Sequence, residues 1–217
     1  ILLGERGKNP KKPQGLTAKQ RSERFSKACD QKSPGAMRLE EYFTSKVSLI
    51  KEMVRRAIAN HIPFEYLLVD SWFTNTGLVD YVCHSKKKFH LLGMGKMGNT
   101  KYATEWGELS ANNILKRLKA ARRLKHSRAL HCKYAVVDAK LGKRKVRLFL
   151  CKRTKAEKWR LLVTTDPRLD FMGAYRIYAM RWGVEVFYGD TKRYLGIGDC
   201  SCRNFTSQVA HVTLVTI

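Results

Sequence analysis

The stretch from Phe64 to Gly95 constrains the fold more than any other. "FEYLLVD" is a short apolar run ending in Asp70, "TGLVDYVCH" has helical character, and "FHLLGMG" is a second apolar run. Strand, helix and strand in so short a span is the grammar of a parallel β-α-β unit. Upstream, Leu39, Phe43, Val47, Ile50, Val54 and Ile58 recur at steps of three and four. That spacing predicts an amphipathic helix from Ala36 to Asn60, closed by Pro63. Residues 5–35 are basic, hold Pro10, Pro13 and Pro34, and read as a long loop with at most one short helix.

From Asn99 the pattern changes. A basic helical segment, "LSANNILKRLKAARRLKH", precedes strand-like "HCKYAVVDA", a "KLGKR" turn, "KVRLFLC" and "WRLLVTTD". Two runs around a glycine-containing turn predict a β-hairpin, with the third run as its neighbour. After Pro167 the chain reads as helical to about Leu195, and a last helix starts near Thr206. The expected division is a basic loop at 1–35, an α/β core in two parts at 36–98 and 167–217, and a mostly β insertion at 99–166.

Charge narrows the partner. The 217 residues carry 43 Lys+Arg against 18 Asp+Glu, a net +25, with 44% hydrophobic residues. Such a chain can bury a core, yet its surface repels itself unless it meets a polyanion, and nucleic acid is the expected partner. The six cysteines are irregularly spaced, and Cys200-x-Cys202 is too tight for a zinc knuckle. Free thiols in a cytosolic protein are the expectation. No apolar run approaches the ~20 residues of a membrane helix. The chain opens at Ile1 and stops inside "HVTLVTI", which reads as a piece of a longer protein.

Acids are scarce, which makes Glu185 in "YAMRWGVEVFYGDTKRYLG" conspicuous. On one continuous helix with Tyr178 at zero, Arg181 falls at about 300°, Glu185 at about 340° and Lys192 at about 320°. All four then share one stripe, while Ile177, Met180, Val184 and Phe187 form the expected core face. Periodicity leaves two readings open. One is a solvated face with an Arg181–Glu185 ion pair worth about 0.3–0.5 kcal/mol. The other is a carboxylate metal ligand beside phosphate-binding cations. A metal site needs further carboxylates, and Asp70, Asp138 and Asp166 each end an apolar run. Asp70 lies in the parallel unit, where open α/β sheets place their sites. Asp138 reads as a residue just before the hairpin turn, and Asp166 as a helix-start residue.

Tyr178-x2-Arg181-x3-Glu185-x6-Lys192 resembles the Y-(2)-R-(3)-E-(6)-K signature of DDE-type bacterial insertion-sequence transposases. "LLVDSWFTN" resembles that group's second-aspartate segment, "WRLLVTTDP" the strand closing its β insertion, and "CRNFTSQVAH" the segment after the signature helix. The resemblance implies a ribonuclease H-like catalytic core, incomplete at the N-terminus, with a mostly β insertion before the glutamate helix. It implies Asp70 and Glu185 as two of three carboxylates holding two Mg²⁺ or Mn²⁺ ions. Tyr178, Arg181 and Lys192 would contact DNA phosphates, and Trp159 would assist base flipping, unless it is a strand aromatic packed in the insertion. The implied partners are double-stranded DNA, both transposon ends and target, and a second copy of the chain in a homodimer on that DNA. The implied location is the bacterial cytoplasm, nucleoid-associated when bound. The family's first aspartate has no counterpart before Asp70, since Asp30 lies in the basic loop. The expectation is therefore a catalytic-domain piece that does not cleave DNA alone. Its competitors are a basic nucleic-acid-binding protein without activity, a decayed or repurposed transposase, and a nuclease or resolvase on the same core.

Overall fold

The computed structural model describes Lys19 and residues 44–154, 156–201 and 205–215. The basic loop, apart from Lys19, and the predicted helix before residue 44 lie outside the described residues. Two compact units divide the chain, one comprising Lys51–Gly183 and the other Ile1–Ile50 with Val184–Ile217.

Helix α1, Lys46–Ala59, buries Leu49 and Val54. It ends before Pro63 acts: the Ile62 N–H donates to the Ala57 carbonyl and the His61 N–H to that of Ile58. These two bonds form a Schellman closure, with His61 (φ 54°) in the left-handed position usually given to glycine. The predicted strand–helix–strand unit follows as β1 (Tyr66–Val69), α2 (Thr76–His84) and β2 (His90–Gly95). Asn75 starts α2 as its N-cap, its side chain accepting from the Leu78 N–H at 3.0 Å. β1 and β2 pair in parallel, Tyr66 opposite His90 and Val69 opposite Gly93.

The segment after β2 is more strand-rich than its apolar runs suggest. It holds β3 (Lys101–Thr104), β4 (Gly107–Ser110), α3 (Ala111–Ala120), β5 (Lys125–Ser127), β6 (Cys132–Leu141), β7 (Arg144–Lys152) and β8 (Arg160–Thr164). Gly142 (φ 60°) opens the two-residue β6–β7 loop, where a primed turn requires positive φ. The eight strands form one sheet in the order β1-β2-β8-β7-β6-β3-β4, with β5 also on β6. The β-rich segment thus extends the parallel pair directly, through antiparallel β8 beside β2.

Helix α4 (Phe171–Ala179) covers one face of this sheet. Its Phe171 and Ala174 pack with Leu92, Cys132, Phe149, Cys151 and Leu162, and Phe171 stacks on Tyr134 at 4.2 Å between ring centroids. Leu78, Val79 and Val82 of α2 and Ile114 and Leu118 of α3 are buried as well. Helix α5 spans Trp182–Tyr194 and α6 Phe205–Val215, close to the predicted start of the last helix. In their unit Thr191, Ile197 and Val212 are buried, and the His211 ring lies 3.0 Å from the Gly196 carbonyl.

Two expectations require correction. The helix predicted to run unbroken to Leu195 is interrupted: α4 ends at Ala179 and α5 begins at Trp182. Between them the N–H groups of Met180, Arg181 and Gly183 bond the carbonyls three residues back, a 3₁₀-type turn that resets the helical phase. The expected core face fails with it, because Met180 is 70% exposed, Val184 52% and Phe187 50%.

Candidate active site at the carboxyl end of β1

Asp70 follows β1 directly and is half-buried. Its Oδ1 accepts the Trp72 N–H at 2.8 Å, while its carbonyl accepts from Phe73 N–H and Thr74 N–H, both at 3.2 Å, and from Thr74 Oγ1 at 3.0 Å. The tight turn fixes the direction of the carboxylate. It also lies so close to β2 that a Cβ on Gly93 would collide with Thr74 Oγ1 and come within 2.7 Å of Val69 Cγ2. Gly93 is thus what lets the turn fold over the second strand, a use of glycine its place inside an apolar run signals.

Strand register locates Asp70 against the other acids. Asp70 lies level with Met94, and the rows beyond it run to Gly95 and Leu161, then to Arg160, Cys151, Tyr134 and Lys125. The long strands project about three residues, or ~10 Å, past Asp70. Lys96, Arg160, Lys152, Lys133 and Lys125 lie at this projecting end, and none of them forms an ion pair among the described residues.

Asp166 belongs to the opposite end, because β8 runs antiparallel to β2. It is buried, accepts from Tyr66 Oη at 2.7 Å and from the Arg168 N–H at 2.9 Å, and holds the turn into α4. Burial pushes its carboxyl upward, but the Tyr66 hydroxyl, the Arg168 N–H and the nearby His90 and Arg168 charges prevail and leave it below its ordinary value. Tyr66 is pushed up to about 12, by burial first and then by Asp166. Asp138 does not sit just before the turn as predicted. β6 continues three residues further, and Asp138 faces Arg147 across the strands with bonds of 2.8 and 3.2 Å. A groove of about 490 Å³ beside this pair, lined also by Lys140, Lys145 and Pro167, does not include Asp70.

The signature residues do not all fall on one helix. Tyr178 lies in α4 and Arg181 in the break, with the Arg181 guanidinium 5.8 Å from the Tyr178 ring centroid. Glu185 occupies the first turn of α5, where the helix dipole favours a carboxylate, and Lys192 its last. Both are exposed and seven residues apart, hence on one face of α5 and about 10.5 Å apart along its axis. Glu185 and Lys192 belong to one compact unit, Asp70, Tyr178 and Arg181 to the other.

Trp159 is not a strand aromatic in a core. It precedes β8, is half-buried, and carries Lys119 Nζ 5.7 Å from its ring centroid. On the same basic segment Arg123 covers Trp106 at 5.2 Å and pairs with Glu105. Cys83, Cys132, Cys151 and Cys200 are free thiols. Burial raises the first three, Cys151 to about 11, so they stay protonated and are poor metal ligands or nucleophiles.

Asp70 Oδ1 is engaged by the turn, whereas Oδ2 accepts no hydrogen bond among the described residues. A carboxylate oxygen of this kind is a donor that divalent cations take. Among the described residues no group of three or more His, Cys, Asp or Glu is gathered as a metal site. Sequence reasoning overlooked Trp72, Thr74, Gly93 and Lys96, which build the surroundings of Asp70; the glycine inside "LLGMG" was the available signal.

A mixed α/β sheet with a carboxylate at the carboxyl end of a parallel strand and cations projecting beyond it is an arrangement suited to chemistry on a polyanion. The sequence matches the transposase DDE domain family over residues 36–217, and the chain belongs to that family. A comparison with curated proteins found no match. Membership implies a DNA substrate and divalent-metal-dependent transposition chemistry in general. No helix among the described residues is long and apolar enough to cross a membrane.

Proposed function

We propose that the chain is the catalytic-domain part of an insertion-sequence transposase with a ribonuclease H-like core. Residues 99–166 are then the β-rich insertion, flanked by core parts at 36–98 and 167–217 and preceded by the basic segment 1–35. Asp70 and Glu185 are two of its metal-holding carboxylates. The observation that carries this reading is the position of Asp70, outside the carboxyl end of a parallel strand in a chain of this family. Asp138 and Asp166 are each engaged elsewhere, by Arg147 and by Tyr66.

The reaction is an in-line displacement at a DNA phosphate. Water attacks phosphorus as the bond to the 3′-oxygen breaks, and the released 3′-hydroxyl later attacks a target phosphate. Bound Mg²⁺ or Mn²⁺ supplies the Lewis acidity this displacement needs. The chain's own part is to hold the carboxylates and the DNA. The turn built on Asp70 fixes one carboxylate, and the α5 N-terminus carries the other. Tyr178, Arg181, Lys192, the cations of the projecting strand ends and the α3 segment take the phosphate backbone, with Trp159 at the DNA end. Binding of this kind weakens steeply with salt. Two copies of the chain pair the transposon ends, and the protein works on bacterial DNA in the cytoplasm.

The test is a Mg²⁺-dependent strand-cleavage assay on the intact protein with Glu185→Gln or Asp70→Asn. The expected result is cleavage reduced at least about a hundredfold with DNA-end affinity within a few-fold of wild type. Full cleavage by Glu185→Gln sinks the ligand assignment.

A further inference from the structure

We propose that Trp72 is a nucleotide-stacking residue that packs its indole against an unpaired base of the DNA strand entering the Asp70 site. The inference rests on the transposase reading for its substrate and goes beyond it in assigning this residue. Trp72 is 77% exposed, more than the other large apolar side chains exposed among the described residues. An indole this exposed buries little apolar area on folding, which leaves most of its surface open to a ligand.

Its position is built, not incidental. The Trp72 N–H is the donor to Asp70 Oδ1, and the Thr74 hydroxyl and Gly93 hold the same turn against β2. The proposed metal-binding carboxylate and the indole are two residues apart and share one hydrogen-bonded loop. Lys96, just past the end of β2, places Nζ 4.9 Å from the indole centroid. A π-face flanked by an ammonium matches a nucleotide, whose base stacks and whose phosphate takes the charge. Bases inside a duplex already have stacking partners on both sides. The partner that fits is therefore an unstacked base at a single-stranded or frayed end, and because every base has a π-face the contact tolerates any sequence.

The experiment measures binding by the protein in EDTA, where cleavage plays no part, and follows tryptophan fluorescence. The probes are a blunt DNA duplex and the same duplex with a short 3′ single-stranded overhang. Trp72→Ala is expected to weaken overhang binding about tenfold and to change blunt-duplex binding less than about twofold. Trp72→Phe should keep most of the overhang affinity and lose the part of the quenching that the overhang adds. Lys96→Ala should weaken the overhang probe more than the blunt duplex and lower the salt dependence of overhang binding by about one counterion. Equal affinity of Trp72→Ala and wild type for the overhang probe overturns the proposal, as does blue-shifted Trp72 emission in the free protein, which would mean that protein covers the ring. If Glu185→Gln still cleaves but Trp72→Ala loses overhang binding, only the metal assignment fails. The reverse pair of results overturns only the stacking role.

Discussion

Gly93→Ala is the sharpest test of how the strand end is built. An alanine methyl at this position would collide with Thr74 Oγ1 and lie 2.7 Å from Val69 Cγ2 and 3.4 Å from Thr74 Cβ. Ordinary van der Waals contact for such an atom begins near 3.4 Å, so Val69 must yield by several tenths of an ångström. Val69 is buried and β-branched, with little rotamer freedom to do so. Thr74 can rotate its hydroxyl away only by giving up its 3.0 Å bond to the Asp70 carbonyl. A lost hydrogen bond costs about 1 kcal/mol and overpacking about 1–3 kcal/mol, which together predict a loss of about 2–4 kcal/mol. For a chain of this size that lowers the melting temperature by roughly 5–15 °C. Urea and thermal unfolding of Gly93→Ala, Thr74→Ala and the double variant measure it as a cycle. Thr74→Ala should cost about 1 kcal/mol in the wild type and less, or nothing, in the Gly93→Ala background. A Gly93→Ala midpoint equal to wild type, or strictly additive costs, would refute the argument that the turn rests on the missing Cβ.

Two further outcomes follow from the fold. The Asp166 carboxyl is held below its ordinary 3.8, so its contribution to stability is present above that pH and lost as pH falls through the depressed folded value. Asp166→Asn should therefore cost about 1–3 kcal/mol at pH 7 and flatten the loss of stability below about pH 4, read from urea midpoints across pH. Helix α3 closes like α1, with the Arg123 N–H on the Leu118 carbonyl and Arg122 at φ 52° in the left-handed position. Arg122→Gly relieves that backbone and should raise stability by up to about 1 kcal/mol in chemical denaturation, while an unchanged or lowered midpoint counts against the assignment.

The readable parts of the sequence are those where local chemistry and tertiary demand agree. The 64–95 unit could be seen because apolar runs flank a segment that Asn75 starts, and both runs lie at least half-buried in the sheet. β3, β4 and β5 could not, because "KYAT", "GELS" and "KHS" are three or four residues long and hold no apolar run. The end of β6 was hidden by Asp138 and Lys140, polar residues on one face of a strand whose other face buries Ala139 and Leu141. The break at Met180 and Arg181 was masked because apolar residues keep helical spacing across it, although the side chains beyond it are exposed. Asp70 and Glu185 were singled out from position and motif. Trp72 was not, since exposure is decided by what does not pack, and no spacing rule reports that.

The placement of β8 has a consequence for the order in which the molecule assembles. β2 ends at Gly95, yet its antiparallel partner begins at Arg160, so the parallel pair emerges from the ribosome well before the strand that secures it. The β6–β7 hairpin, by contrast, closes through two residues and needs no distant partner. Closing a long loop costs entropy before its contacts repay it, so the hairpin is the natural nucleus, and β8 joins it before docking on β2. The strand end carrying Asp70 would then be among the last parts of the sheet to become rigid during synthesis. The cations that β6 and β7 carry past Asp70 are then set before the turn they project beyond.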